Sequence, residues 1–141
     1  MNLHDILSQK GSALFTVAPR AKLAEALQVM VQHNCGSLVV CENESMVGII
    51  SERDLLRALA DSPQALNDMQ VADRMTRDVI TGCPSDDLNK VMGIMTQHRI
   101  RHLPVLENGR TCGLISIGDI VKAQHEQLAR ENHFLMSYIQ S

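Results

Sequence analysis

The sequence repeats itself at a fixed offset of 65 residues, and this duplication limits what the chain can fold into more than any other feature. The segment from Gly48 to Asp54, GIISERD, recurs from Gly113 to Asp119 as GLISIGD. An ungapped alignment of residues 15–59 with residues 80–124 contains 15 identities in 45 positions. One folding unit therefore occurs twice, so any site formed by one copy should have a pseudo-symmetric counterpart.

The size of the repeat indicates how the two copies are arranged. A chain of 141 residues suits one compact domain or two small halves that share a core. A unit of about 65 residues buries too little apolar surface to be comfortably stable alone, so we expect the halves to pack face to face. The core must be aliphatic, because the chain has one Tyr, two Phe and no Trp beside eight Met that can fill irregular gaps.

Composition argues against several classes of partner. Single-stranded nucleic-acid binders stack bases on aromatic rings, which are scarce here, and the net charge of −3 disfavours nucleic acid and anionic membranes. No segment approaches the roughly 18 to 20 consecutive apolar residues of a membrane span, and the start of the chain does not resemble a secretory signal. We therefore expect a soluble, cytoplasmic protein with no nucleic-acid or membrane partner.

The four cysteines show no Cys-x-x-Cys spacing, and we expect them to be reduced, small core residues rather than members of disulfides.

Each copy is predicted to fold as strand, helix, strand, strand, helix. Apolar residues recur at helical spacing after the first short strand, and two apolar runs separated by a polar turn predict a hairpin. In the first copy the predicted elements are Leu14–Val17, Ala21–His33, Ser37–Cys41, Met46–Ile50 and Glu52–Ala60. In the second copy they are Val79–Thr81, Asp86–Gln97, His102–Leu106, Thr111–Ile115 and a helix from Ile117, with Gly109 in the hairpin turn.

Three further segments connect or extend the copies. Asp61–Met69 is the predicted linker, and Val71–Thr76 is a short helical lead-in to the second copy, as Ile6–Gly11 is to the first. These boundaries predict a first repeat over residues 1–65, a second over 66–125 and a helical extension over 126–141. The extension, with the residues from Lys122 onward, has an amphipathic pattern whose apolar stripe either covers the core or forms a dimer contact.

Each duplicated Ser-x-x-Asp lies where a strand ends and a helix begins. The motif there has two possible interpretations. Ser at the N-cap with an acidic residue three positions later is a capping box. The same Asp would lie in the first helical turn beside free backbone N–H groups, where a carboxylate can also bind two ribose hydroxyls. Asp119 stands where a phosphate loop needs Lys, and we therefore reject a phosphate-loop reading of the segment from Gly113 to Asp119.

The sequence resembles a tandem pair of CBS domains. The resemblance rests on the duplicated Gly-φ-φ-Ser-x-x-Asp (φ, aliphatic), the segment Thr16–Pro19, the lead-in Val71–Val79 and the segment His98–Val105. This regulatory module is named after cystathionine β-synthase, and small bacterial proteins consist of little beyond one pair. The resemblance covers about residues 1 to 125. It implies an α/β (α+β) fold of two β-α-β-β-α repeats related by a pseudo-twofold axis, with two clefts that often hold adenosine nucleotides.

The resemblance also implies roles for particular residues. Asp54 and Asp119 would bind ribose hydroxyls, and Ser51 and Ser116 would contact ribose or phosphate. Main chain at Thr16-Val17 and at Thr81-Gly82 would meet the adenine edge, with the ring between aliphatic side chains. The cations that could meet phosphate are Arg53, Arg99, Arg101, His102 and Lys10; for Arg99 a solvated helix end is an equal alternative.

The two copies differ at the candidate site. Where the second copy has Arg101 and His102 the first has Gly36 and Ser37, and where the first has Arg53 the second has Gly118. We therefore expect the two sites to differ in affinity or in ligand, or one of them to be empty.

Catalysis finds no support in the sequence. His98 and His102 are four residues apart, but a helix should end near the first and a strand begin near the second, so no metal site is expected. The two motif serines lie beside acids rather than histidines, and nothing indicates a shared acid–base pair.

The leading hypothesis is a non-enzymatic sensor of an adenosine compound (AMP first, or ADP, ATP, NAD(H) or S-adenosylmethionine) that acts through a homodimer or an unknown effector protein. The alternative is a structural or dimerisation module with vestigial clefts.

Overall fold

The computed structural model describes residues 1–11 and 14–140, which form seven helices and five strands. The first half of the chain contains α1 (Leu3–Lys10), β1 (Thr16–Val17), α2 (Leu23–His33), β2 (Ser37–Glu42), β3 (Ser45–Ser51) and α3 (Glu52–Asp61). The second half contains α4 (Ala65–Asp68), α5 (Val71–Arg74), α6 (Leu88–His98), β4 (His102–Glu107), β5 (Arg110–Ser116) and α7 (Ile117–Gln140). The predicted linker is thus partly helical, because α4 lies within it.

The two hairpins have the same geometry at equivalent positions. β2 pairs antiparallel with β3 and β4 pairs antiparallel with β5, each with a register shift near the turn. Asn43 and Glu44 in the first turn, and Asn108 and Gly109 in the second, all have positive φ. Positive φ at both central residues is the geometry of type I′ turns, which match the twist of the flanking strands.

The predicted strand Val79–Thr81 is wrong in the described residues. In the first repeat β1 pairs in parallel with β2, Thr16 with Val39 and Val17 with Val40. The equivalent second-repeat contact is a single bridge between Gly82 and Val105. The residue equivalent to Val39 is Pro104, which has no N–H to donate, so the ladder cannot extend beyond that bridge.

Two hydrophobic clusters form the core, and each includes the lead-in helix of the other repeat. Val71 and Met75 of the α5 region pack in the first cluster, whereas Leu3, Ile6 and Leu7 of α1 pack in the second. The predicted lead-in helices therefore exist, but each packs on the repeat that does not follow it. This exchange ties the two halves together.

The glycine that opens each Gly-φ-φ-Ser-x-x-Asp motif allows this exchange. A Cβ on Gly48 would lie 2.7 Å from the Thr76 carbonyl oxygen, next to the paired hydrogen bonds between Ile49 and Thr76. A Cβ on Gly113 would lie 2.5 Å from a methyl group of Leu7. Both distances are below van der Waals contact, so each glycine makes room for the incoming lead-in segment.

The C-terminal helix α7 extends well past the core. Ile120 and Ala123 in its first turns are buried, but the apolar side chains that follow are not. Leu128 is 62% exposed and Phe134 is 74% exposed, so the apolar stripe does not cover the core. Among the described residues, α7 and the other helices lack the apolar length that crossing a membrane requires.

The cysteines are less buried than predicted. Cys35, Cys41 and Cys112 are half-buried, and burial raises the pKa of each thiol. Cys83 is exposed, and for this residue the prediction of a core position is wrong.

Candidate functional site

The two Ser-x-x-Asp motifs form capping boxes at equivalent helix starts. In the first, Asp54 Oδ2 accepts hydrogen bonds from the Ser51 N–H (2.8 Å) and hydroxyl (3.1 Å), and the Asp54 N–H donates to Ser51 Oγ (3.3 Å). In the second, Asp119 Oδ2 accepts from the Ser116 N–H (2.9 Å), and the Asp119 N–H donates to Ser116 Oγ (3.1 Å). The capping reading is therefore correct for both motifs, and it leaves Oδ1 of each aspartate without a hydrogen bond from the described residues.

Each motif also lines a cleft whose opposite wall comes from the other repeat. The first cleft, of about 330 Å³, lies between the first motif and the second-repeat segments 76–80 and 99–102. The second cleft, of about 430 Å³, lies between the second motif and segments of the first repeat. The first cleft is lined by Gly36, Ser37, Ile49, Ser51, Glu52, Arg53, Asp54, Arg57, Thr76, Asp78, Val79, Ile80, Arg99, Ile100, Arg101 and His102. The second is lined by Lys10, Gly11, Leu14, Phe15, His33, Asn34, Cys35, Gly36, Ser37, His102, Leu114, Ser116 and Asp119.

The first cleft is rich in arginine. Arg53 and Arg57 come from α3, Arg99 is the left-handed C-cap of α6, and Arg101 precedes β4. Within the described part of the chain none of these four guanidinium groups forms an ion pair within 4.0 Å of a carboxylate. Four arginines face three carboxylates in the lining, which leaves excess positive charge available to an anionic ligand.

In the second cleft the aspartate is already paired with a cation. Lys10 Nζ lies 2.6 Å from Asp119 Oδ2 and donates a second hydrogen bond, of 2.9 Å, to the Leu114 carbonyl. Burial by itself would raise the pKa of Asp119, but the hydrogen bonds from Lys10 and Ser116 outweigh it and lower the pKa below its ordinary value. The Asp119 carboxylate is therefore ionised, and its Oδ2 atom already accepts hydrogen bonds from Lys10 and Ser116.

His102 lines both clefts. It begins β4 opposite Ser116, at the position that Ser37 holds in the first repeat. Burial, the nearby Lys10 and Arg101 lower the pKa of His102, and Glu52 and Asp119 oppose that shift without reversing it. The imidazole is therefore biased toward its neutral form.

An aromatic pair lines the second cleft. The rings of Phe15 and His33 are stacked, with centroids 3.7 Å apart and an angle of 11° between planes. Equivalent positions in the first repeat's cleft are occupied by Ile80 and His98, of which only Ile80 lines that cleft. The lining of the second cleft thus includes aromatic rings, whereas the apolar residues that line the first are aliphatic; the position of the adenine ring between aliphatic side chains stays a prediction.

The structure brings together most of the predicted site residues. Ser51, Asp54, Arg53, Arg99, Arg101 and His102 line the first cleft, and Ser116, Asp119, Lys10 and His102 line the second. Thr16, Val17 and Thr81 line neither cleft, and residues slightly earlier in the chain, Leu14–Phe15 and Val79–Ile80, line them instead. Gly118 is exposed in the first turn of α7 and also lies outside both linings.

Some lining residues were absent from the sequence-based prediction. Arg57 lies one helical turn after Arg53, a spacing visible in the sequence. Thr76 and Asp78 enter the first cleft only because the α5 segment packs on the first repeat. The described residues include no group of three His, Cys, Asp or Glu side chains placed to hold a metal ion.

The fold and the paired clefts agree with known proteins. The model of the CBS domain family matches residues 5–61 and 70–126. The chain belongs to the CBS-domain family. The predicted tandem pair is confirmed, and so is its fold of two repeats with an added C-terminal helix.

Relatives in sequence and structure support the same assignment. The mitochondrial CBS domain-containing protein CBSX3 of Arabidopsis thaliana is 38% identical over 121 residues, which are 82% of this chain and 59% of that protein. The chain thus spans little more than half of that relative. A CBS-domain protein of Agrobacterium tumefaciens, ATU1752, superposes with a TM-score of 0.84 at 38% identity, over 88% of this chain and 99% of that one. The CBS domain pair of protein MJ0100, solved with 5′-methylthioadenosine and S-adenosyl-L-methionine, superposes with a TM-score of 0.80 at 26% identity, over 90% of this chain and 98% of that one.

Proposed function

We propose that this CBS-domain pair is a regulatory module that binds an adenosine-containing ligand in the clefts between its repeats. AMP is the first candidate, and ADP, ATP, NAD(H) and S-adenosylmethionine are the others. The observation that carries the proposal is Asp54, an ionisable side chain that lines a cleft between the repeats and faces unpaired arginines there. The MJ0100 pair, with its two adenosine compounds, makes this ligand class the natural one to test.

The first aspartate is suited to a ribose. Asp54 uses Oδ2 to hold the backbone of Ser51, and Oδ1 accepts no hydrogen bond from the described residues. In a carboxylate held in this way Oδ1 can accept a hydroxyl hydrogen without rearrangement of the side chain, which reduces the entropy lost on binding. In this proposal Asp54 binds the ribose, and Ser51 fixes the carboxylate.

The phosphate of the ligand would meet the arginines. Arg53 and Arg57 on α3 and Arg99 and Arg101 on the opposite wall can each donate paired hydrogen bonds to phosphate oxygens. Val79 and Ile80 provide apolar surface for the base. The first cleft is therefore the proposed site for the more highly charged ligands.

The output would be a change in the packing of the two halves. Each cleft has one wall from each repeat, so a bound ligand stabilises the arrangement in which both walls touch it. The exposed apolar residues of α7 are proposed to form a homodimer contact, through which the bound state reaches a second copy or an effector. No step of this proposed regulation is catalytic.

Isothermal titration calorimetry with AMP, ATP, NAD and S-adenosylmethionine tests the proposal. We expect at least one compound to bind, and Asp54→Ala to weaken its affinity by about tenfold or more, because a charge-assisted hydrogen bond contributes roughly 1.5–3 kcal/mol. The double variant Asp54→Ala/Asp119→Ala should bind none. Near saturation, at about 100 times the dissociation constant, the ligand should also raise stability by roughly 2.7 kcal/mol.

Asp5→Ala is the matched control. Asp5 completes a capping box with Asn2 at the start of α1, so its removal deletes the same kind of cap outside both clefts. Binding should survive this change. Absence of binding by every compound would contradict the proposal and leave the dimerisation module as the better explanation, and equal losses in Asp5→Ala and Asp54→Ala would assign the effect to helix capping.

A further inference from the structure

The Lys10–Asp119 contact has no counterpart in the first cleft. Lys10 is the last residue of α1, and its position 65 residues later is occupied by Met75. Met75 is only 9% exposed and packs in the first hydrophobic cluster. One copy of the duplicated unit therefore brings an ammonium group to its aspartate, and the other brings a thioether to its core.

Lys10 competes for the atoms that a ribose would need. Asp119 Oδ2 accepts from Lys10 Nζ at 2.6 Å and from the Ser116 N–H at 2.9 Å, so only Oδ1 remains without a described partner. Two neighbouring ribose hydroxyls can each donate to one oxygen of a carboxylate. A ribose that binds Asp119 through both oxygens therefore has to displace Lys10.

Once displaced, the ammonium group would keep only its hydrogen bond to the Leu114 carbonyl and would need a new anionic partner. Lys10 is the only Lys or Arg among the described residues that line the second cleft, and Asp119 is the only carboxylate there. An uncharged nucleoside offers the ammonium group nothing in exchange for the lost ion pair. A nucleotide offers its phosphate.

We propose that Lys10 is a specificity-determining residue of the second cleft, which selects phosphorylated adenosine over adenosine. Lys10 leaves Asp119 when a ribose arrives and moves to the ligand phosphate, so the ion pair is exchanged rather than lost. The contact of the ammonium group is charge-assisted in both states, first to carboxylate and then to phosphate. This inference rests on the proposed function, since it assumes that ribose binds Asp119.

The half-exposed position of Lys10 makes the exchange feasible. The Lys10 side chain is 37% exposed and that of Asp119 is 24% exposed, so the pair lies at the rim rather than deep in the core. An ion pair at such a site contributes little enough to stability to be broken by a ligand. The α1 backbone need not move, because the lysine side chain is a flexible four-carbon stem.

The test uses the full chain with binding in the first cleft weakened by Asp54→Ala. AMP and adenosine are titrated calorimetrically into this protein, and the ratio of the adenosine dissociation constant to the AMP dissociation constant is measured with and without Lys10→Met. We expect Lys10→Met to tighten adenosine binding and to change AMP binding little, because only adenosine breaks the ion pair without replacing it. The ratio should therefore fall by about fivefold, the change that corresponds to an ion pair of about 1 kcal/mol. Lys10→Arg keeps the cation and should keep the ratio within about twofold.

Lys90→Met is the control for loss of one positive charge. Lys90 lies on α6, is 65% exposed and pairs only loosely, at 3.8 Å, with Asp86. Its replacement should leave the ratio unchanged. An unchanged ratio in Lys10→Met, or equal changes for both ligands, would overturn the inference.

Two outcomes separate this inference from the proposed function. If the unmodified chain binds AMP but the Asp54→Ala protein binds neither compound, the second cleft is not a nucleotide site and only this inference fails. If the unmodified chain binds no adenosine compound, the proposed function fails and this inference fails with it. Thermal unfolding of each variant confirms that it is folded before titration.

Discussion

Asp54 and Asp119 each use one carboxylate for two purposes. Oδ2 caps a helix through the preceding serine, and the same side chain lines a cleft. A capping contact contributes about 0.5–2 kcal/mol, so replacing the aspartate with alanine disturbs both fold and site. The sequence pattern predicted both roles but could not choose between them, because helix capping and ribose binding call for the same residue in the same turn.

His102 should make the fold sensitive to mild acid. Its native pKa is lowered by burial and by Lys10, so the folded state resists the proton that the unfolded state accepts below its ordinary pKa. Stability from the neutral imidazole is thus complete above that ordinary pKa and is lost as the pH falls below it. His102→Gln removes the group, so the stability advantage of the unmodified chain over the variant should shrink between about pH 8 and pH 5.

Urea unfolding of both proteins at several pH values measures this difference. The other histidines occur in both proteins, so their titration cancels in the comparison. An advantage that stays constant or grows as the pH falls would contradict the assigned direction of the His102 shift.

Local sequence predicted the hairpins and long helices well, and contacts between distant segments explain the failures. The hairpins follow from polar turns with Asn43 and Asn108 between apolar runs. The strand near Thr81 fails because of Pro104, which lies on the partner strand and is invisible to a local reading. The exchange of α1 and α5 depends on Gly113 and Gly48 admitting a chain segment from elsewhere, which no window of sequence reveals.

Gly113→Ala should destabilise the protein through the α1 contact. The added Cβ would lie 2.5 Å from Leu7 in the second cluster, and overpacking of this kind costs typically about 1–3 kcal/mol. Chemical denaturation measures the loss, and hydrogen exchange should show it first in α1.

Gly93→Ala is the matched control, and we expect it to raise the stability of the protein rather than lower it. Gly93 lies within α6, and a Cβ added there would meet nothing within 4 Å, so alanine should stabilise the helix by about 0.5–1 kcal/mol. Equal effects of the two changes would show that Gly113 is not needed to admit α1.

The protein consists of two interlocked halves whose clefts both depend on the interlock. The motif residues could be predicted from the repeat, because each repeat contains its own Ser-x-x-Asp. Three other lining residues could not be predicted in this way, because each comes close to the motif of the other repeat only after the two halves pack. These are Asp78 in the first cleft and Phe15 and His33 in the second. The difference between the clefts therefore arises mainly from residues outside the duplicated motif.

The exposed part of α7 should control the oligomeric state. The segment after Gln127 presents apolar side chains that are more than half exposed, among them Leu128, Phe134, Leu135, Met136 and Ile139. A chain ending at Gln127 keeps the buried Ile120 and Ala123 and should fold. We expect sedimentation equilibrium to give twice the chain mass for the full protein and the chain mass for the shortened one.

A double variant separates the effect of the apolar stripe on the oligomeric state from the effect of helix length. Leu128→Ser/Leu135→Ser should also give the monomer mass, whereas Val121→Ser, an exposed α7 residue nearer the core, should not. The same mass for the full and shortened chains would remove α7 from the interface.

A crystal structure of the full chain grown with AMP would decide most about the proposed site. We expect ribose hydroxyls within hydrogen-bond distance of the Asp54 carboxylate and the phosphate among Arg53, Arg57, Arg99 and Arg101. AMP bound elsewhere, for example in the groove between α1 and α7 near Asp5 and Arg130, with the first cleft empty, would contradict the proposal.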